Sequence, residues 1–149
     1  MTIPPDLLFS IANALALPGW ALLVLAPRWR GTQALVLSGA WPLGLAALYA
    51  AFLAVHYLGA HGGEGGFGSL ARVAALFHDP WALLAGWVHY LCFDLFVGAW
   101  EVRDAQRRGV PRAALVPALA LTFLVGPVGL LVYFGGRAAL GQKIPNSLT

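Results

Sequence analysis

The chain has 149 residues, of which 60% are hydrophobic and only 10% charged, with a formal net charge of +3. So little polar surface cannot coat a water-soluble globule, and a lipid-facing exterior is the natural alternative. With no concentrated basic patch beside interleaved aromatics, nucleic-acid binding is excluded as a leading reading.

A spanning helix needs roughly 20 mostly apolar residues to cross about 30 Å of hydrocarbon at about 1.5 Å per residue. Four uncharged or nearly uncharged runs meet that test, at residues 7–26, 34–58, 81–100 and 113–134. They are long, Ala/Leu-rich and continuous, unlike the alternating segments of about ten residues that build a membrane barrel. The sequence therefore predicts an all-α, single-domain polytopic membrane protein with four transmembrane helices. No basic residue precedes the first run, so it is expected to be retained rather than cleaved as a signal peptide.

Between the second and third runs, residues 59–68 hold six glycines in ten positions and are expected to form a loop without the Lys and Ser/Thr of a phosphate loop. His61 with Glu64, and His78 with Asp79, read as solvated loop residues. Ser69 is placed to cap a short interfacial helix, since Leu70, Val73, Ala74 and Phe77 recur at helical spacing. Pro18, Pro42, Pro117 and Pro127 fall inside runs, where each removes a backbone donor; the pairs Pro18-Gly19 and Gly126-Pro127 mark possible kinks. The tryptophans cluster near run ends as interfacial anchors, except Trp20 and Trp87, which lie deeper.

Orientation follows from the basic residues. Arg28 and Arg30 follow the first run, and Arg103, Arg107, Arg108 and Arg112 follow the third, six against Arg72, Arg137 and Lys143 on the other side. The Arg-rich loops 27–33 and 101–112 are thus expected in the cytoplasm and both termini outside it. Eight Arg against one Lys, with abundant Ala, Gly and Leu, fits a GC-rich bacterial genome and so a bacterial inner membrane. Small size mildly favours a homo-oligomer, and the single Cys92 excludes an internal disulfide.

The third run carries the chemistry. Asp94 lies about 5 Å along the axis from its midpoint, where an ionisable group is costly to insert and is a functional-site hypothesis by default. At about 100° per residue, Trp87, Tyr90, Asp94 and Glu101 share one stripe, while His89 points about 140° away from Asp94. A carboxyl and a neutral imidazole in a dry site offer an acid and a base. Against this, Asp94 could simply satisfy Asn13, Thr122 or a freed carbonyl and glue helices together. His56 and His89 are weaker candidates as metal or haem ligands, because no CxxC or HExxH spacing accompanies them.

The stretch His89-Tyr-Leu-Cys-Phe-Asp-Leu-Phe-Val-Gly-Ala-Trp100, then Asp104-Ala105 and Leu121-Thr-Phe-Leu-Val-Gly-Pro-Val-Gly-Leu-Leu-Val-Tyr133, resembles the neoxanthin synthase family of abscisic-acid-deficient-four-like membrane proteins. Phe9-Ser-Ile-Ala-Asn13, Leu17-Pro-Gly-Trp20 and Pro27-Arg-Trp29 fit it too. The resemblance implies a four-helix membrane protein acting on a carotenoid or other isoprenoid by epoxide opening without net oxidation. That chemistry needs a proton delivered to oxygen and another removed from a neighbouring polyene carbon. Asp94 is the expected donor and His89 the acceptor, with Asn13, Trp20, Trp87, Tyr90, Thr122 and Gly126 contacting substrate and no cofactor required. A haem- or metal-dependent enzyme and a non-catalytic carotenoid-binding or assembly subunit are the alternatives.

Overall fold

The computed structural model describes residues 3–58 and 65–141. His61, Glu64, Lys143 and most of the Gly-rich segment lie outside the described residues. Among those described, all regular structure is helical: α1 (Pro5–Leu25), α2 (Arg30–Thr32) continuing as a π-helical stretch Gln33–Leu37, α3 (Ala40–Leu58), α4 (Leu70–Leu76), α5 (Pro80–Arg108), α6 (Arg112–Val125) and α7 (Pro127–Ala139). Three stretches, Pro5–Leu25, Arg30–Leu58 and Pro80–Arg108, are long and apolar enough to cross a membrane. Large apolar side chains such as Leu17, Leu43 and Leu83 stand exposed on them, as a lipid-facing surface requires.

The boundaries depart from expectation in three places. The second run is interrupted at Gly39, whose φ of +89° is a left-handed turn, so Pro42 sits in the first turn of α3, where its missing N–H breaks no helical bond. The third helix continues through most of the expected 101–112 loop, to Arg108. The fourth run is no single rod: Gly126, at φ +41°, separates two helices of 14 and 13 residues. At about 1.5 Å per residue these measure roughly 20 Å each, short of the about 30 Å hydrocarbon layer.

The chain divides into two compact units, Met1–Pro18 with Trp41–Phe93, and Gly19–Ala40 with Asp94–Thr149. In the first, Ala12, Ala16, Leu45, Phe52, Ala85 and Val88 are buried. Pro18 cannot donate to the preceding turn, and close by the Leu15 carbonyl accepts the Trp41 indole N–H at 2.9 Å. Cys92 donates its thiol to the Pro42 carbonyl at 3.2 Å. Ser69 caps α4, its oxygen accepting from the Arg72 N–H at 3.3 Å.

In the second unit the partners of α5 give the course of α6 and α7. A turn at Gly109, φ +69°, starts α6 beside the end of α5. Thr122 then reaches Glu101, and a Cβ on Gly126 would lie 2.7 Å from the Asp94 carboxylate. Beyond Gly126 the partners run back: Tyr133 and Arg137 both reach Asp104. α6 and α7 therefore form a helical hairpin whose tip lies at Asp94, the middle residue of the 29-residue α5. The two helices approach backbone to backbone, since a Cβ on Gly129 would come within 2.0 Å of the Thr122 nitrogen.

Candidate functional site

Asp79 is where the first unit gathers its chemistry. It precedes Pro80, and its Oδ1 accepts the backbone N–H groups of Trp81 at 3.1 Å and Ala82 at 2.9 Å, capping α5 in the pattern Asp then Pro at the helix start. The same oxygen takes the Nδ1 of His56 at 2.8 Å. Burial pushes the Asp79 carboxyl up, but the Ala82 N–H, the His56 hydrogen bond and charge, and the Trp81 N–H outweigh it and hold the group below the usual carboxylate value. An ionised carboxylate only accepts, so the Nδ1–H of His56 donates to it and the ring is held through that nitrogen. His56 is 2% exposed. Asp79 is thus not the solvated loop residue expected, whereas His78 beside it is exposed.

His56 lines a cavity of about 270 Å³ together with Tyr49, Tyr57, Phe67, Phe77 and His89. The His89 ring stacks on Phe93 at 4.6 Å and meets Tyr49 edge-on at 5.5 Å. Gly86 completes the wall, where a Cβ would meet the Phe77 ring at 2.7 Å. The space is walled by aromatics and offers two imidazoles, one oriented by a carboxylate. Its volume suits a ring-sized group, since drug-sized ligands occupy about 300 Å³ or more.

Three of the expected substrate contacts cluster elsewhere in the first unit. Trp87 stacks on Tyr90 at 5.6 Å, packs against Phe9 at 5.3 Å, and donates its indole N–H to Asn13 Oδ1 at 3.2 Å. Asn13 uses its amide N–H on the Phe9 carbonyl at 2.8 Å. Trp87 also lines a groove of about 220 Å³ with Pro5, Asp6, Phe9, Pro80 and Leu83.

The other expected residues belong to the second unit. Trp20 is buried, edge-on to Phe123 at 5.4 Å and over Gly98, where a Cβ would meet its ring at 2.8 Å. Asp94 is 9% exposed and packs on Gly126 at the hairpin tip. Thr122, fully buried, donates its hydroxyl to both oxygens of the equally buried Glu101 at 3.0 and 3.1 Å. Below them Asp104 is a hub: Arg108 and Arg137 pair with it at 2.8 and 2.9 Å, and the Tyr133 hydroxyl donates to it at 2.7 Å. The Arg137 guanidinium lies 5.3 Å from the Phe134 ring.

Sequence reasoning missed the His56–Asp79 pair and the roles of Tyr133 and Arg137. Asp-Pro ahead of an apolar helix is a helix-start signal that would have placed Asp79. Tyr133 and Arg137, four residues apart, share one helix face, but only the hairpin turns that face toward Asp104. Arg137, counted on the side opposite Arg103–Arg112, is instead paired on the same helix as Arg103. Among the described residues no group of three or more His, Cys, Asp or Glu is arranged to hold a metal ion.

No curated protein and no solved structure shows a significant match to the chain. The family described as ABA DEFICIENT 4-like matches residues 7–133, most of the sequence, including every cavity-lining residue and the polar network as far as Tyr133. An all-helical chain with long apolar helices, matched over that length, belongs to the ABA DEFICIENT 4-like family of membrane proteins.

Proposed function

We propose that this protein binds the end group of a carotenoid or related isoprenoid in the first-unit cavity and isomerises it by proton transfer. The observation that carries this reading is the buried His56–Asp79 pair lining an aromatic cavity. In an epoxide opening of the neoxanthin synthase type, the C–O bond breaks as oxygen gains a proton, and a neighbouring C–H bond gives its electron pair to the new double bond. No electrons are gained or lost overall. His56, oriented through Nδ1 by Asp79, is the proposed base for the carbon proton, acting through Nε2. His89, the acceptor expected from sequence, lines the same cavity and is a second candidate. Asp94, the donor expected from sequence, lies in the second unit with Trp20, Thr122 and Gly126 and is proposed as a separate candidate for proton transfer there, while Asn13, Trp87 and Tyr90 are proposed to shape the apolar surroundings within the first unit.

The test is expression in a carotenoid-producing host followed by chromatography of extracted pigments. Asp79→Asn keeps a good helix cap while removing the charge that orients His56, and His56→Gln removes the base. A pigment change made by the native chain and lost in both variants, with insertion intact, supports the reading. Separate Asp94→Asn and His89→Ala variants assign the remaining roles. Unchanged pigments with the native chain would leave carotenoid binding without conversion.

A second reading rests on one further feature of the cavity. A histidine whose Nδ1 donates to a carboxylate is also how proteins orient a metal-ligating imidazole, and His56 and His89 line the same space. Stoichiometric metal or a Soret band in the purified protein, lost in His56→Gln, would favour it. For orientation, we propose a bacterial inner membrane with the Arg-rich ends in the cytoplasm; the return of α7 to Asp104 then brings its C-terminal end to that side.

A further inference from the structure

A cavity of about 420 Å³ lies within the second unit, bounded by the end of α1 and the turn from α5 to α6. Arg28, Gln106 and Arg112 line it beside Leu25, Val102 and Leu115, and among the described residues no carboxylate does. Two of the polar side chains are already anchored. Gln106 donates to the Pro27 carbonyl at 2.9 Å, and Arg112 uses one N–H on the Val24 carbonyl at 2.6 Å, leaving the rest of its guanidinium donors. Arg28 makes no hydrogen bond or ion pair among the described residues. The carboxylates that flank its α5 lining residues are both engaged, Glu101 by Thr122 and Asp104 by Arg108, Arg137 and Tyr133. Among the described residues, the cavity therefore carries uncompensated positive charge against an apolar wall.

We propose that this cavity binds the phosphate of an anionic phospholipid, with Arg28 and Arg112 on the phosphate and Leu25, Val102 and Leu115 along the first carbons of the lipid chains. Guanidinium forks match phosphate oxygens geometrically. Basic pockets between membrane helices are suited to anionic headgroups. Free inorganic phosphate shares the charge but has nothing to place against the apolar wall.

Native mass spectrometry of the full chain in detergent tests this, with phosphatidylglycerol and phosphatidylcholine as probes. The native protein is expected to retain phosphatidylglycerol in preference to phosphatidylcholine. Arg28→Gln should weaken that retention about fivefold, and adding Arg112→Gln by about a further fivefold. Arg72→Gln, which makes the same charge change in the first unit, should leave it unaltered. Because Arg28 has no hydrogen-bond or ion-pair partner among the described residues, its variant should melt as the native protein does, so lost binding reads the site and not the fold. Equal retention of the two lipids, or an equal loss in Arg72→Gln, would overturn the proposal. Displacement of the bound lipid by millimolar inorganic phosphate would overturn the lipid assignment.

Discussion

The two units bury polar groups to opposite ends. In the first, His56 and His89 line open space, and Asp79 holds His56 while its oxygen is tied to the backbone at the start of α5. In the second, Glu101, Thr122, Asp104, Tyr133, Arg108 and Arg137 are bound to one another. Seven of the eight arginines fall in the second unit, Arg72 being the exception. A polar group facing a cavity keeps capacity for a guest, while one fully engaged by neighbours holds helices together. The first unit is accordingly the better place to look for chemistry, and the second for stability and anchoring.

That contrast breaks most visibly at Asp104. Replacing it with alanine takes the carboxylate away from the buried Arg137, which is 1% exposed, and removal of one partner of a buried pair costs about 3–5 kcal/mol. Thermal melting in detergent should show the largest loss of any variant here, with pigment chemistry in the surviving protein retained. Gly129→Ala comes next. Its Cβ would press on the Thr122 backbone, which cannot move aside as a side chain would, at a cost of roughly 3 kcal/mol. A continuous fourth helix would instead be stabilised by that alanine, so the sign of the melting shift distinguishes hairpin from rod.

Thr122→Val leaves the buried Glu101 without its hydroxyl donor and should cost about 1–3 kcal/mol by the same measurement. For the first unit the sharper probe is pH. Asp79 is held below its ordinary value of 3.8, so its contribution to stability is complete above that value and is lost as pH falls through the depressed folded value. Acid melting curves should lose this slope in Asp79→Asn. Ser69→Ala removes only the cap of a seven-residue helix and should cost about 0.5–1 kcal/mol, the smallest effect of the set.

Much of this was legible beforehand because it depends on local pattern. Unbroken apolar runs predict α1 and α5, and Ser69 before a helical repeat predicts α4. Gly126-Pro127 was readable as a kink, yet its size was not: a glycine permits a left-handed backbone without dictating how far the following helix folds back. The expected site was legible only in part. His89 does line a cavity, but its closest chemical companions, His56 and Asp79, come from the end of α3 and the start of α5, and no spacing rule connects them.

The sequence by itself determined that the chain is helical, apolar outside and suited to a membrane, because hydrocarbon demands internally satisfied backbone over long apolar stretches. It also carried the family, through residues spread along most of its length. Only the tertiary structure decided that the last apolar run is a hairpin, that Arg137 returns to Asp104, and that His56 is oriented by Asp79. Those outcomes rest on contacts between residues 21 to 33 positions apart in the chain, set by how helices pack and by which buried charges must find partners.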